Sequence, residues 1–260
     1  MKRIRLIVAY DGTNYKGWQI QPNGVTIESK LNECLSEICG EEIQVKGASR
    51  TDSGVHAYGN IAVFDTNARM PGEKYAYALN QRLPEDIRIQ GSDEVDLDFH
   101  PRFCKTRKTY EYRIYHSKFP MPCGRQYCHF TYFPIDVDKM KEAATYLIGE
   151  HDFASFCSIN AQVKTTVRTL YEVSVIEEGK EIMIRLTGNG FLYNMVRIIA
   201  GTLLQVGYGK IEPSKMREII EAKNREAAGP TAPAQGLTLV SYAYENEENA
   251  LGHMSHDELQ

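Results

Sequence analysis

Residues 3–10, Arg3-Ile-Arg-Leu-Ile-Val-Ala-Tyr10, set Arg3 and Arg5 against Ile4, Leu6 and Val8. That period of two marks a strand with one apolar face and one polar face. Residues 26–39 follow with Ile27, Leu31, Cys34, Leu35 and Ile38 at helical spacing, after a capping Thr26 and before Gly40. Ile43 and Val45 start a short strand, Ile61 to Phe64 form another, Glu73 to Leu83 is helical up to Pro84, and Ile87 and Ile89 close the set. The order is strand, helix, strand, strand, helix, strand.

The same order recurs further along. Tyr110, Tyr112 and Ile114 alternate with Thr109, Glu111 and Arg113, and Met140, Ala143, Ala144 and Leu147 mark a helix ended by Gly149. Strands over 166–177 and 181–187 flank Glu177-Glu178-Gly179-Lys180, a hairpin-like turn. Gly190 to Val206 reads as an apolar helix, Ser214 to Ala222 as an extra one, and Gly236 to Tyr244 as a last strand. Two successive βαββαβ units predict an α+β fold. Its two ferredoxin-like halves would form an extended antiparallel sheet with helices on one face and a cleft for a large ligand. The boundaries are 1–105 for the amino-terminal half, 106–246 for the carboxy-terminal half, and 247–260 for an acidic, disordered tail.

Of 260 residues, 42% are hydrophobic and 25% charged, a globular composition. The opening alternation is unlike a signal peptide and no run of about 18 apolar residues occurs, so a soluble, cytoplasmic chain is expected. Six cysteines without a framework read as reduced thiols. Cys123 and Cys128, with His129 beside them, are too widely spaced for a zinc knuckle and lack a second pair, so no metal site is expected. The formal net charge is -4. Its distribution matters more: Arg102, Lys105, Arg107, Lys108, Arg113 and Lys118 stand against the single acid Glu111, whereas the tail from Glu245 has five acids and no Lys or Arg. On its own the basic run reads as a solvated strand face.

Gly47-Ala-Ser-Arg-Thr-Asp-Ser-Gly-Val-His-Ala57 lies between two strands, with Asp52-Ser53-Gly54 set to turn tightly. Arg50, Asp52 and His56 are three functional side chains within seven residues. Arg197 interrupts an otherwise apolar run, where an unpaired charge would be costly, so it needs a partner. Tyr110, on its strand pattern alone, reads as a core aromatic.

The Arg50-to-Ala57 stretch resembles the signature of the tRNA pseudouridine synthase A family. Tyr10-Asp-Gly-Thr-Asn-Tyr-Lys-Gly-Trp-Gln19 resembles that family's opening segment. Phe99-His-Pro-Arg102, Lys108-Thr-Tyr-Glu-Tyr-Arg113, Gly149-Glu-His-Asp-Phe-Ala-Ser-Phe156, Gly190-Phe-Leu-Tyr-Asn-Met-Val-Arg197 and Ala234-Gln-Gly-Leu237 follow in family order. Ser49 departs from the pattern, standing where many members have Gly. The resemblance implies isomerisation of uridine to pseudouridine in the anticodon stem-loop of tRNA. Asp52 would be the catalytic carboxylate, Tyr110 a stacking and catalytic residue, and Arg197 the partner of Asp52. Arg50, His56, Lys105, Arg107 and Lys108 would bind substrate, and Arg113 would add another phosphate contact. It implies tRNA as partner, a homodimer, and neither cofactor nor metal. Two readings compete: a non-catalytic RNA-binding protein, and a paralogue acting at another RNA site. A nucleotide-binding enzyme of unrelated chemistry ranks last, because no phosphate-binding Gly-Lys loop is present.

Overall fold

The computed structural model describes residues 1–102, 104–158 and 164–244; the tail 247–260 lies outside them. In chain order the elements are β1 (Lys2–Tyr10), α1 (Ile27–Cys39), β2 (Lys46–Gly47), β3 (His56–Thr66), α2 (Tyr75–Asn80), β4 (Ile87–Val95), β5 (Thr106–His116), β6 (His129–Thr131), α3 (Val137–Thr145), β7 (Gly149–Asp152), β8 (Val167–Glu178), β9 (Glu181–Gly188), α4 (Met195–Gly207), α5 (Lys215–Ala222) and β10 (Leu237–Tyr244). The fold is α+β. Among the described residues no helix is long and apolar enough to cross a membrane.

The chain divides into two units, Met1–Thr106 with the chain from Leu239 on, and Arg107–Thr238. In the first unit the strand order is β4-β1-β3-β10, with β2 on β3. β1 runs antiparallel to both β3 and β4. Ile4, Leu6 and Val8 are fully buried on one face of β1. On the other face Arg3 makes paired hydrogen bonds to Asp65, and Arg5 does the same to Asp93. Bidentate pairs of this kind let a charged residue sit on a covered strand. In α1, Thr26 Oγ1 accepts from the Ser29 amide and Ser29 Oγ from the Thr26 amide, and Gly40 ends the helix at φ 68°.

In the second unit β5, β9, β8 and β7 pair antiparallel in that order. β6 joins β5 parallel, Ile114 opposite His129. The sheet is therefore mixed where the sequence pattern predicts antiparallel pairing throughout. The segment 117–128 has the dozen or so residues a crossover needs to bring the chain back in the same direction. The predicted helix from Gly190 starts at Met195, because Asn194 takes a left-handed conformation at φ 61° and breaks the run.

Candidate functional site

The loop leaving β2 is held at its entry, its middle and its exit. At the entry the β2–β3 ladder continues one residue, the Ala48 amide donating to Ile61 O at 2.7 Å. The Asn60 side chain then replaces the ladder. Its Oδ1 accepts from the Ser49 amide at 3.3 Å and its Nδ2 donates to Ser49 O at 2.9 Å. Ser49 needs no glycine-like backbone, since its φ is not in the left-handed region; its buried hydroxyl makes no hydrogen bond among the described residues. At the exit the Val55 amide donates to Asp52 O at 3.1 Å, and Gly54 takes φ 79°, which closes the predicted tight turn. Asp52 is partly buried at that turn, Arg50 is exposed, and Thr51 is buried between them.

The chain between β1 and α1 wraps this loop at backbone distance. The Trp18 amide donates to Thr51 O at 3.0 Å, and Ser53 Oγ donates to Tyr15 O at 3.0 Å. Gly17 has φ 85°, and a β-carbon there would lie 2.5 Å from Thr51 O. Tyr10 Oη and Thr51 Oγ1 are hydrogen-bonded at 2.7 Å. His56 is 3% exposed; the Gly12 amide donates to its Nδ1 at 3.1 Å, with Asp11 Oδ1 at the same distance. Its imidazole is thus a brace beneath the loop, too deep to face an RNA chain.

A cationic face lies beside the loop entry in the same unit. Arg102 Nε donates to Gly47 O at 2.7 Å. Burial and then the nearby Arg50 charge pull the Arg102 guanidinium below the usual arginine range. Burial, then Arg102 and Lys46, likewise hold His100 below the usual imidazole range. Among the described residues neither Arg50 nor Arg102 is in an ion pair. Lys105 is exposed.

In the second unit Tyr110 is 7% exposed on β5, its ring edge-on to Phe191 with centroids 5.0 Å apart. Arg197, on the first turn of α4, donates from Nε to Ala232 O at 2.8 Å and from Nη1 to Asn194 Oδ1 at 2.9 Å. Those bonds fix its direction within the unit. The Arg107 guanidinium lies over the Tyr171 ring, 4.6 Å from its centroid, and Lys108 is partly buried. Arg113 departs from expectation: its Nε bonds Glu111 Oε1 at 2.8 Å, and Arg185 Nη2 bonds Glu111 Oε2 at 2.9 Å. Arg113 is thereby tied to a buried carboxylate and not set out for a phosphate. Among the described residues no three His, Cys, Asp or Glu group to hold a metal ion; Cys123 is exposed and Cys128 Sγ donates to Gly124 O at 3.4 Å.

Sequence reasoning gave no role to Asn60, Tyr10 or Arg102. The available signal was Asn60 itself, a lone amide in the apolar run from Asn60 to Phe64. A buried amide must find hydrogen-bond partners, and here they are the loop's own backbone.

A family model described as tRNA pseudouridine synthase matches residues 6–104 and 143–245. A tRNA pseudouridine synthase A from Brevibacillus brevis is 48% identical over 244 residues, 94% of this chain and 100% of that protein. One of the same name from Acetivibrio thermocellus is 47% identical over 244 residues, with the same coverage. Among solved structures, a chain in an H/ACA RNP bound to a substrate RNA containing 2'-deoxyuridine superposes with a TM-score of 0.34 at 15% identity. It covers 77% of this chain and 44% of that one, a likeness too slight to argue from.

Proposed function

Since the chain belongs to the tRNA pseudouridine synthase A family and is an enzyme of that class, we propose that it isomerises uridines in the anticodon stem-loop of tRNA, family positions 38–40, with Asp52 as the catalytic carboxylate. The observation that carries the assignment of Asp52 is the bracing of its loop. A turn fastened by β3, by Tyr10 and by the backbone of residues 12–18 presents the carboxylate from a fixed main chain.

The reaction breaks the N-glycosidic bond, turns the uracil and rejoins it to the ribose through C5. A stacked base must leave the stem to be reached. Asp52 attacks or activates the extruded nucleotide. Tyr110 offers its ring to the uracil and its hydroxyl to the proton that C5 must lose. Arg197 acts as counter-charge to Asp52 and keeps it ionised. Arg50, Lys105, Arg107 and Lys108 bind the flanking phosphates, and His56 supports the loop from below. The atoms of substrate and product are the same, so the scheme calls for no cofactor.

The ferredoxin-like plan of each half, with helices on one face and the other open to RNA, belongs to the same proposal. The order β1-α1-β2-β3-α2-β4 supports it in the first half; the second carries β6, β7 and α5 in addition. Action in the cytoplasm and assembly as a homodimer belong to the same proposal. The test is Asp52→Asn, assayed for pseudouridine in unmodified tRNA with binding followed in parallel. Product formation vanishes and tRNA still binds; turnover by pure Asp52→Asn protein would sink the assignment.

A further inference from the structure

We propose that Asn60 and Tyr10 are positioning residues that set the Asp52 carboxylate through a buried hydrogen-bond chain, an inference that rests on the assignment of Asp52 above. Asn60 is fully buried and Tyr10 is 5% exposed. The Asn60 amide is used in full: Oδ1 accepts from the Ser49 amide, one Nδ2 hydrogen goes to Ser49 O, and the other faces Tyr10 Oη at 3.4 Å. An amide placed this way cannot flip, because the reverse orientation would set its NH2 against the Ser49 N–H.

The contacts run on from Asn60 through Tyr10 to Thr51. Tyr10 Oη receives a hydrogen from Asn60 and is hydrogen-bonded to Thr51 Oγ1 at 2.7 Å. Burial pushes the Tyr10 phenol well above its ordinary value, so its proton stays in place at any working pH. Thr51 directly precedes Asp52, and its carbonyl is gripped from the other side by the Trp18 amide. The residue before the carboxylate is thus fixed at both its side chain and its main chain. A bulge in β3 accompanies this arrangement: Tyr58 and Gly59 stand opposite the single residue Ala9, where the register shifts from Val8–Asn60 to Tyr10–Ala57.

A purely structural role for these groups would appear as lost stability. A positioning role appears in the chemical step, since a shift of about 1 Å at a reacting group can cost 10²-fold in rate. The experiment measures single-turnover pseudouridine formation at saturating tRNA, tRNA Kd and Tm for Tyr10→Phe, Asn60→Asp and the double variant. Asn60→Asp keeps an acceptor for the Ser49 amide and removes the NH2 group that bonds Ser49 O and Tyr10. Tyr10→Phe lowers the single-turnover rate about 10-fold, with Kd within about twofold of wild type, and the double variant is no slower than the worse single. A Tyr10→Phe protein at the wild-type rate overturns the inference. So does one altered only in Kd, or one whose loss tracks Tm and disappears on assay at lower temperature. An inactive wild-type protein, or an active Asp52→Asn, would instead sink the functional assignment, so the two failures are distinguishable.

Discussion

Gly12 and Val55 meet backbone to backbone, so closely that a β-carbon on Gly12 would lie 2.0 Å from the Val55 carbonyl oxygen. No rotamer change relieves an overlap with main chain. Gly12→Ala therefore pushes the segment after β1 away from the Asp52 loop. The expected cost is about 1–3 kcal/mol in stability, read by denaturant unfolding, with a larger proportional loss of pseudouridine formation.

Tyr110 separates stacking from proton transfer. Tyr110→Ala also opens a hole beside Phe191, so its effects mix with stability, whereas Tyr110→Phe keeps the packed ring and loses only the hydroxyl. Participation of the hydroxyl in proton transfer predicts a loss of about 10²–10⁴ in single-turnover rate for Tyr110→Phe. Near-wild-type activity would leave the residue a stacking platform alone.

The basic side chains are separated by the salt dependence of tRNA binding. Arg102→Ala or Lys108→Ala should each reduce the slope of log K against log salt for tRNA by roughly one. Arg113→Ala should leave that slope unchanged, since its guanidinium is held by Glu111. Binding measured from low to moderate salt decides; equal slopes for all three variants would refute the division.

Glu111 gives a pH signature. Burial alone would raise its carboxyl, but the hydrogen bonds from Arg185 and Arg113 outweigh burial and hold it below its ordinary 4.5. A carboxyl depressed in the folded state adds stability above its unfolded pKa and loses it as pH falls through the folded value. Glu111→Gln should lower stability at neutral pH by about 2 kcal/mol. That deficit should shrink below about pH 4, as unfolding curves at stepped pH would show.

Much of the architecture was legible because it follows from periodicity and caps. The Thr26 and Gly40 signals bound α1 to within a residue, and the β8–β9 hairpin turns at Gly179 as its sequence indicates. What escaped was set by tertiary partners. Nothing local to Gly190–Asn194 says that Asn194 will turn left-handed and hold Arg197. The apolar Ile43 and Val45 are buried but irregular, and the two-residue β2 follows them. Counting charges along 100–118 could not foresee that Arg185, remote in sequence, would join Arg113 on Glu111. The Asp52 loop was found by its motif; the amide and phenol beneath it were not, because the partners of Asn60 and Tyr10 are set by tertiary contacts.

β10 belongs to the unit that begins at Met1, where Tyr242 and Tyr244 pack with Ala48 and Ile61 and Tyr242 Oη donates to Pro101 O at 2.7 Å. On the ribosome, residues 107–236 are all made before that strand exists. Until then the nascent first unit has β3 with an unfilled edge and a core short of two tyrosines, and it holds a bare strand that invites mispairing. The order of synthesis therefore runs against the order of assembly: β3, translated early, gains β10 as its neighbour only after the whole second unit has been made.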